Sequence, residues 1–412
     1  MKLEFPQDDA DLAQSLSAAI RIGDDLWVGS DEGTKAICLR RDKRDRSKLP
    51  FRRVDEIDLV QELDLPGKTV DERGGLPEVD LEGMDWDAQG GYLWMVGSHS
   101  LKRTAAKFAT KKGKPIDDAE NLARFSVIST DGNRFLLGRL PLKVDAKERS
   151  RVVQRGAYAL DHFGARLAST ERTSELLDAL HDDPILKQFL IAGHELPGKD
   201  NGVDIEGLAW DAKEKRLIVG LRGPVLSGMA MLLELKVTEE FAGAGGVGRL
   251  RLQRIGAHGE PFRRHFLDLD GLSVRDLCFR GNDLLVLAGP TMPIDWPVTI
   301  YRWKKGRSRM DGRQRFVWQE SGELGLWVQA ELKDAERKHD RPEALTLWKK
   351  NQALVVCDAP SGKRFGKPAT VEVDKVVLPK ATKREKWAPS RLIVVSTGTL
   401  GVPGCQNNRT RL

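Results

Sequence analysis

Apolar and polar positions along this chain fall into short runs that recur. Two stretches align without a gap: Asp80-Leu81-Glu82-Gly83-Met84-Asp85-Trp86-Asp87-Ala88 and Asp204-Ile205-Glu206-Gly207-Leu208-Ala209-Trp210-Asp211-Ala212. Each leads through a turn into a second apolar run ending in glycine, residues 93–97 and 217–220. Weaker copies are Ser273–Phe279 before Leu284–Gly289, Arg341–Trp348 before Ala353–Cys357, and Ala18–Ile22 before Leu26–Gly29. Ile20, Met84, Leu208, Leu277 and Leu345 are the central apolar residues of the five copies, at spacings of 64, 124, 69 and 68. From each of them to the end of its second run the distances are 9, 13, 12, 12 and 12.

Each unit has a third strand candidate: 36–39, 125–129, 229–235, 298–303 and 370–376. Fourth strands are expected at 54–60, 135–140, 250–254 and 316–318. Short strands repeated radially describe an all-β fold, a β-propeller of five or six blades, with residues 1–412 as one domain. The doubled spacing of 124 holds a diverged repeat, an insertion, or both. Helical spacing of Leu176, Leu177, Leu180 and then Ile185, Leu186, Phe189, with Thr173 or Ser174 and Asp183 as caps, predicts a short helical insertion over 171–192. The last strand is expected at 391–396, closing the ring beside an N-terminal strand. The run Gly243–Gly248 has no following Lys-Ser/Thr and reads as a loop, not a phosphate cradle.

Composition narrows the classes. The longest apolar runs are strand-sized, so no membrane helix is expected. The first residues are acidic and hold no apolar core of a secretion signal. Basic residues number 67 against 61 acidic ones, and the basic clusters are dispersed, which does not point to nucleic acid. Cys38, Cys278, Cys357 and Cys405 share no C-x-x-C spacing, so a reducing cytoplasmic home is the simplest fit.

If the first strand of each repeat is innermost and the second returns antiparallel, first-strand starts and second-strand ends share one face. That face gathers Asp80, Glu82, Asp204, Glu206, Arg275, Arg341 and Glu343 with Asp31, Ser98, His99, Arg222, Thr291 and Asp358. Glu82, Glu206 and Glu343 hold one position in three repeats. They are the candidate ligands of Ca²⁺ or another divalent cation, against structural pairing with a local Arg. Arg275 holds the same position in a fourth repeat. Arg275, Arg222 and Lys199 are candidates for binding an anionic substrate. His99 and Asp204 are the candidate proton-transfer groups.

The segments Lys199–Ala209, Gly220–Val225, Arg275–Leu277, Leu287–Thr291 and Arg341–Thr346 resemble the bacterial family called domain of unknown function 3616, over residues 15 to 360. That resemblance implies no activity. A looser one, carried only by Glu82-Gly83 and Glu206-Gly207, is to phytase-like and gluconolactonase-like propellers, where the latter hold a metal on such a glutamate. Two functions stay open. One is a binding module that takes a small anionic ligand or a protein partner on the channel-mouth face. The other is a divalent-metal-assisted hydrolase of a small anionic ester or lactone.

Overall fold

The second run of each repeat is apolar on both faces because neighbouring sheets cover it from both sides. In the computed structural model, alternate residues of Asp283–Gly289 divide between two seams. Leu284 and Val286 pack with Ile218 and Leu232 of the sheet before, while Leu285 and Leu287 pack with Leu345 and Val355 of the sheet after. Period-two alternation therefore separates two cores, not core from solvent. The structure describes residues 1–6, 10–41, 50–70, 74–110, 113–190, 196–243, 245–292, 294, 298–330, 340–349, 351–360, 362, 364–366 and 369–379. All lie in the compact unit formed by residues 1–379.

Among the described residues, five sheets of three or more strands carry the fold. The first runs Leu16–Ile22, Asp25–Ser30, Lys35–Arg40, Phe51–Asp58. The second runs Leu81–Asp87, Tyr92–Gly97, Leu137–Val144, Ala165–Leu167. The third runs Asp204–Asp211, Arg216–Leu226, Met229–Leu235, Arg263–Asp268. The fourth runs Ser273–Arg280, Asp283–Gly289, Val298–Trp303, Leu324–Ala330, and the fifth Arg341–Lys349, Gln352–Asp358, Asp374–Val377. The first strands touch one another in that order and the fifth touches the first, which closes a ring. The chain is mostly β and propeller-like.

Several outer strands differ from the sequence expectation. In the second sheet the third strand is Leu137–Val144; Asp118–Phe125 is a helix, and Ile128–Ser129 pairs only with Lys102–Arg103 in a small separate ribbon. Gly248–Leu252 joins the second sheet in parallel to Ala165–Leu167, and Arg315–Val317 joins the third in parallel to Arg263–Asp268. Each covers the open edge of the preceding sheet, an unpaired row of N–H and C=O groups that needs a partner. The run 370–376 divides between two sheets. Asp374–Val377 completes the fifth, while Thr370–Glu372 pairs with Lys2–Glu4 on the outer edge of the first. The strand expected at 391–396 lies outside the described residues.

The spacing of 124 is explained by insertion. It holds the ribbon, the two outer strands of the second sheet and the helical segment, and among the described residues no further inner strand enters the ring there. Within 171–190 the segment holds the helix Glu175–His181 and the 3-10 turn Lys187–Phe189; residues 191–192 of the expected insertion lie outside the described residues. Ser174 caps Glu175–His181 by accepting from the Leu177 N–H, and Asp183 accepts from the N–H groups of Ile185 and Leu186. The other Asp183 oxygen pairs with Arg264 of the third sheet at 2.5 Å, tying the insertion down. Among the described residues no helix is long and apolar enough to cross a membrane.

Candidate functional site

Each inner strand breaks register with its neighbour near its start, and the third and fifth shift at a second place as well, between Asp204 and Ile205 and between Leu347 and Lys349. The pairing skips Ser17 in the first sheet, Glu82 in the second, Arg275 in the fourth and Glu343 in the fifth. In the third it skips from Ile205 to Leu208, leaving out Glu206 and Gly207. A bulge residue has no ladder partner and its side chain is re-aimed. The ring thus repeats one bulge five times, and the bulge residues are Ser17, Glu82, Glu206, Arg275 and Glu343. All five are buried. The pairing also corrects the first repeat by one residue. Ala19, opposite Val28, is the equivalent of Met84 opposite Met95, so Ile20 is not the central position.

The glycines after two of these glutamates have a packing cause. A Cβ on Gly83 would meet the Leu208 side chain at 2.8 Å, and one on Gly207 would meet the Asp276 backbone at 2.8 Å. Gly207 also has φ 104°, where L side chains are strained. The Glu-Gly dipeptide lets adjacent inner strands approach closely.

Around the ring the charges interlock. Arg275 donates to Glu206 Oε2 at 3.1 Å and to Glu343 Oε1 at 2.8 Å, bridging the sheets on either side of its own. Arg222 donates to Glu206 Oε1 at 2.5 Å and to the Thr291 carbonyl at 2.9 Å. Ser17 donates to the Leu81 carbonyl at 2.6 Å. Above the ring, Asp80 Oδ2 lies 2.6 Å from Arg134 Nη1, and Asp204 lies 3.9 Å from Arg222. Arg134 sits on a short turn, Gly132–Phe135, between the strands of the second sheet, and no repeat signal marked it.

Acids outnumber bases here. Asp31, Asp80, Glu82, Asp204, Glu206, Glu343 and Asp358 share the mouth with the buried guanidinium groups of Arg134, Arg222 and Arg275. Glu82 Oε2 and Asp31 Oδ1 are buried without a hydrogen-bond partner. Burial, then Asp80 and Glu206, hold the Glu82 carboxyl well above the usual carboxylate range. Burial, then Asp358 and Asp80, push Asp31 up to about 9. Burial and Glu206 push Glu343 up to about 8, and burial raises Asp204 to about 7 against the pull of Arg222. The mouth keeps protons at neutral pH because like charges crowd in a dry place.

The sequence-selected residues separate into two places. Glu82, Glu206, Glu343, Asp204, Arg222 and Arg275 come together. Lys199 is exposed on the turn Gly198–Asp200, near enough for its charge to act on Asp80, Asp204 and Asp358. His99 stands apart from the ring. It lines a cavity of about 280 Å³ with Leu177 and His181 of the helical insertion. Its Nδ1 lies 3.0 Å from the Gly97 carbonyl, which assigns the proton to Nδ1, and burial pushes its pKa down to about 4. No ring carboxylate acts on it. As for the metal reading, Glu206 has both oxygens held by guanidinium groups. Among the described residues no three Asp, Glu, His or Cys side chains converge on one metal position.

A family model for proteins of unknown function, DUF3616, matches residues 15–374. The chain belongs to the DUF3616 family. No curated protein matches this DUF3616 member. Among solved structures it is similar to the extracellular domain of a one-component system of Bacteroides thetaiotaomicron, at 12% identity and a TM-score of 0.25, covering 83% of this chain and 31% of that one. It is also similar to a 6-phosphogluconolactonase-type protein of Bacteroides fragilis, at 10% identity and a TM-score of 0.29, covering 82% and 62%. A third is the PQQ-bound aldose sugar dehydrogenase of Streptomyces coelicolor, at 11% identity and a TM-score of 0.32, covering 88% and 96%. The DUF3616 chain thus spans less than two thirds of the first two.

Proposed function

We propose that this DUF3616 protein is a five-bladed β-propeller acting as a binding module, and that the mouth of its channel takes a positively charged group. The observation that carries the reading is the unbalanced ring. Glu82 and Asp31 each bury an oxygen without a partner, among carboxyls that hold protons at neutral pH. A cation placed there would exchange with those protons and gain the attraction of several carboxylates at once. An anionic ligand is the less favoured partner, because Arg222 and Arg275 already donate to Glu206, Glu343 and backbone carbonyls, with Arg275 Nε left unpaired beside the more numerous carboxyls. The occupant is then an amine or guanidinium, free or on a protein, or a divalent cation. The cytoplasm is the proposed compartment, on cysteine usage.

The test is thermal melting at pH 8 with spermidine, and separately with Ca²⁺, Mg²⁺ or Mn²⁺ before and after EDTA, against NaCl of equal ionic strength. A ligand that binds only the folded state raises the melting temperature by mass action. Stabilisation by spermidine that disappears in Glu82→Gln supports the binding module. A shift given only by a divalent cation and reversed by EDTA moves the reading to the metal-assisted hydrolase of a small anionic ester or lactone. Identical melting in every condition removes the mouth as a cation site.

A further inference from the structure

At the end of the ring opposite the charged mouth, a cavity of about 660 Å³ opens between the second and third sheets. Its floor is Tyr92, Trp94, Arg139 and Trp210, and Lys215 and Glu239 stand on its rim. The two indoles stack with ring centroids 5.1 Å apart and planes 23° from parallel. The Arg139 guanidinium lies over the Tyr92 ring, 3.7 Å from its centroid. Volume, aromatic lining and a few polar groups fit a small-molecule site.

The polar chemistry of this cavity is one-sided. Trp94 Nε1, Trp210 Nε1 and both Nε and Nη2 of Arg139 are buried N–H donors without a hydrogen-bond acceptor. Buried donors are almost always paired in folded proteins, so two donors of one guanidinium, Arg139, left without a hydrogen bond ask for an acceptor. Arg139 is itself buried, yet its ion-pair partner is Glu239, whose side chain is 49% exposed. Glu239 belongs to Val237–Glu240, the outermost strand of the second sheet, which arrives on the excursion from the third sheet. A half-exposed carboxylate on an edge strand is easily exchanged for another carboxylate. The planar fork of an arginine suits such a ligand in two-pronged geometry.

We propose that this cavity is a second binding site, for a planar aromatic carboxylate. Its carboxylate takes the place of Glu239 on Arg139, and its ring lies against the indole and phenol surfaces of the floor. Glu239 is then a built-in competitor that covers the site when the ligand is absent. The site uses none of the mouth residues and stands independently of the cation reading.

The test is isothermal titration of the full chain with naphthalene-2-carboxylate, with 2-naphthamide as the uncharged control. The carboxylate should bind and the amide should not. Arg139→Gln should weaken the carboxylate by about tenfold or more, the loss expected of a charge-assisted hydrogen bond. Glu239→Gln removes the competitor and should tighten binding several-fold; as a change at an exposed position it keeps the fold, and it decides the matter if Arg139→Gln does not fold. Equal binding of acid and amide, no heat from either, or unchanged affinity in Glu239→Gln would overturn the proposal.

Discussion

At the scale of single residues, the mouth reverses the ordinary dependence of stability on pH. A carboxyl held above its ordinary value takes up a proton on folding. Its contribution is complete below the unfolded value and is lost as pH rises through the folded one. For Asp31 that window runs from 3.8 to about 9, and for Glu343 from 4.5 to about 8. His99 has the opposite sign. Held down at about 4 from 6.5, it contributes fully above 6.5 and loses that as pH falls. The interval from pH 7 to 9 therefore lies above the His99 window, and comparison with Asp31→Asn separates that acid from the Met1 amine and the buried thiols, which also titrate there. We expect the melting temperature to fall across it, and the fall to be shallower in Asp31→Asn; matching slopes would show that Asp31 is not protonated in the folded state. The sequence placed Glu82, Glu206, Arg275 and Glu343 together because one repeat position recurs. It did not reveal Arg134, which lies on an inserted turn, or Ser17, whose repeat was misaligned by one residue. It also set His99 on the mouth, whereas backbone turning after Gly97 gives His99 a φ of 53° and leaves it beneath the helical insertion.

At the scale of elements, the inner strand is shaped by its bulge and by its glycine. Gly207→Ala adds a Cβ at φ 104° and 2.8 Å from the backbone of Asp276, so two strands must part. Gly228 has φ 81° with nothing within 4 Å, so alanine there meets the backbone penalty alone. Urea denaturation should show Gly207→Ala to be more destabilising than Gly228→Ala by about 2 kcal/mol, the cost of overpacking a closed seam. Similar losses would mean that the inner strands adapt. The second strand of every repeat was legible because both of its faces are buried, which leaves a continuous apolar run, and the first strand because its polar and apolar positions recur from copy to copy. The outer strands were not. Arg315–Val317 and Gly248–Leu252 are partly exposed, and their pairing with the preceding sheet depends on where an excursion returns, not on their own pattern.

At the scale of the whole molecule, the ring joins both ends of the described chain. Lys2–Glu4 pairs with Thr370–Glu372 on one side and with Phe51–Asp58 on the other, and Leu3 and Phe5 are buried in the seam between the first and fifth sheets. Leu3→Ala should lower stability by about 2–5 kcal/mol. Hydrogen exchange should then rise together in 2–4 and 370–372 while 352–358 keeps its protection. Exchange that rises only in 2–4 would mean that the two ends do not act as one unit. By itself the sequence determined the repeat, the inner and second strands, the capped insertion and the gathering of polar residues at one end, because each follows from local periodicity and cap chemistry. Tertiary structure alone decided which edge each outer strand covers. It also decided which carboxylate meets which guanidinium, and that Glu82 and Asp31 each bury an oxygen without a hydrogen-bond partner. Those outcomes rest on distances between segments tens to hundreds of residues apart, which close only when all the sheets stand around one axis.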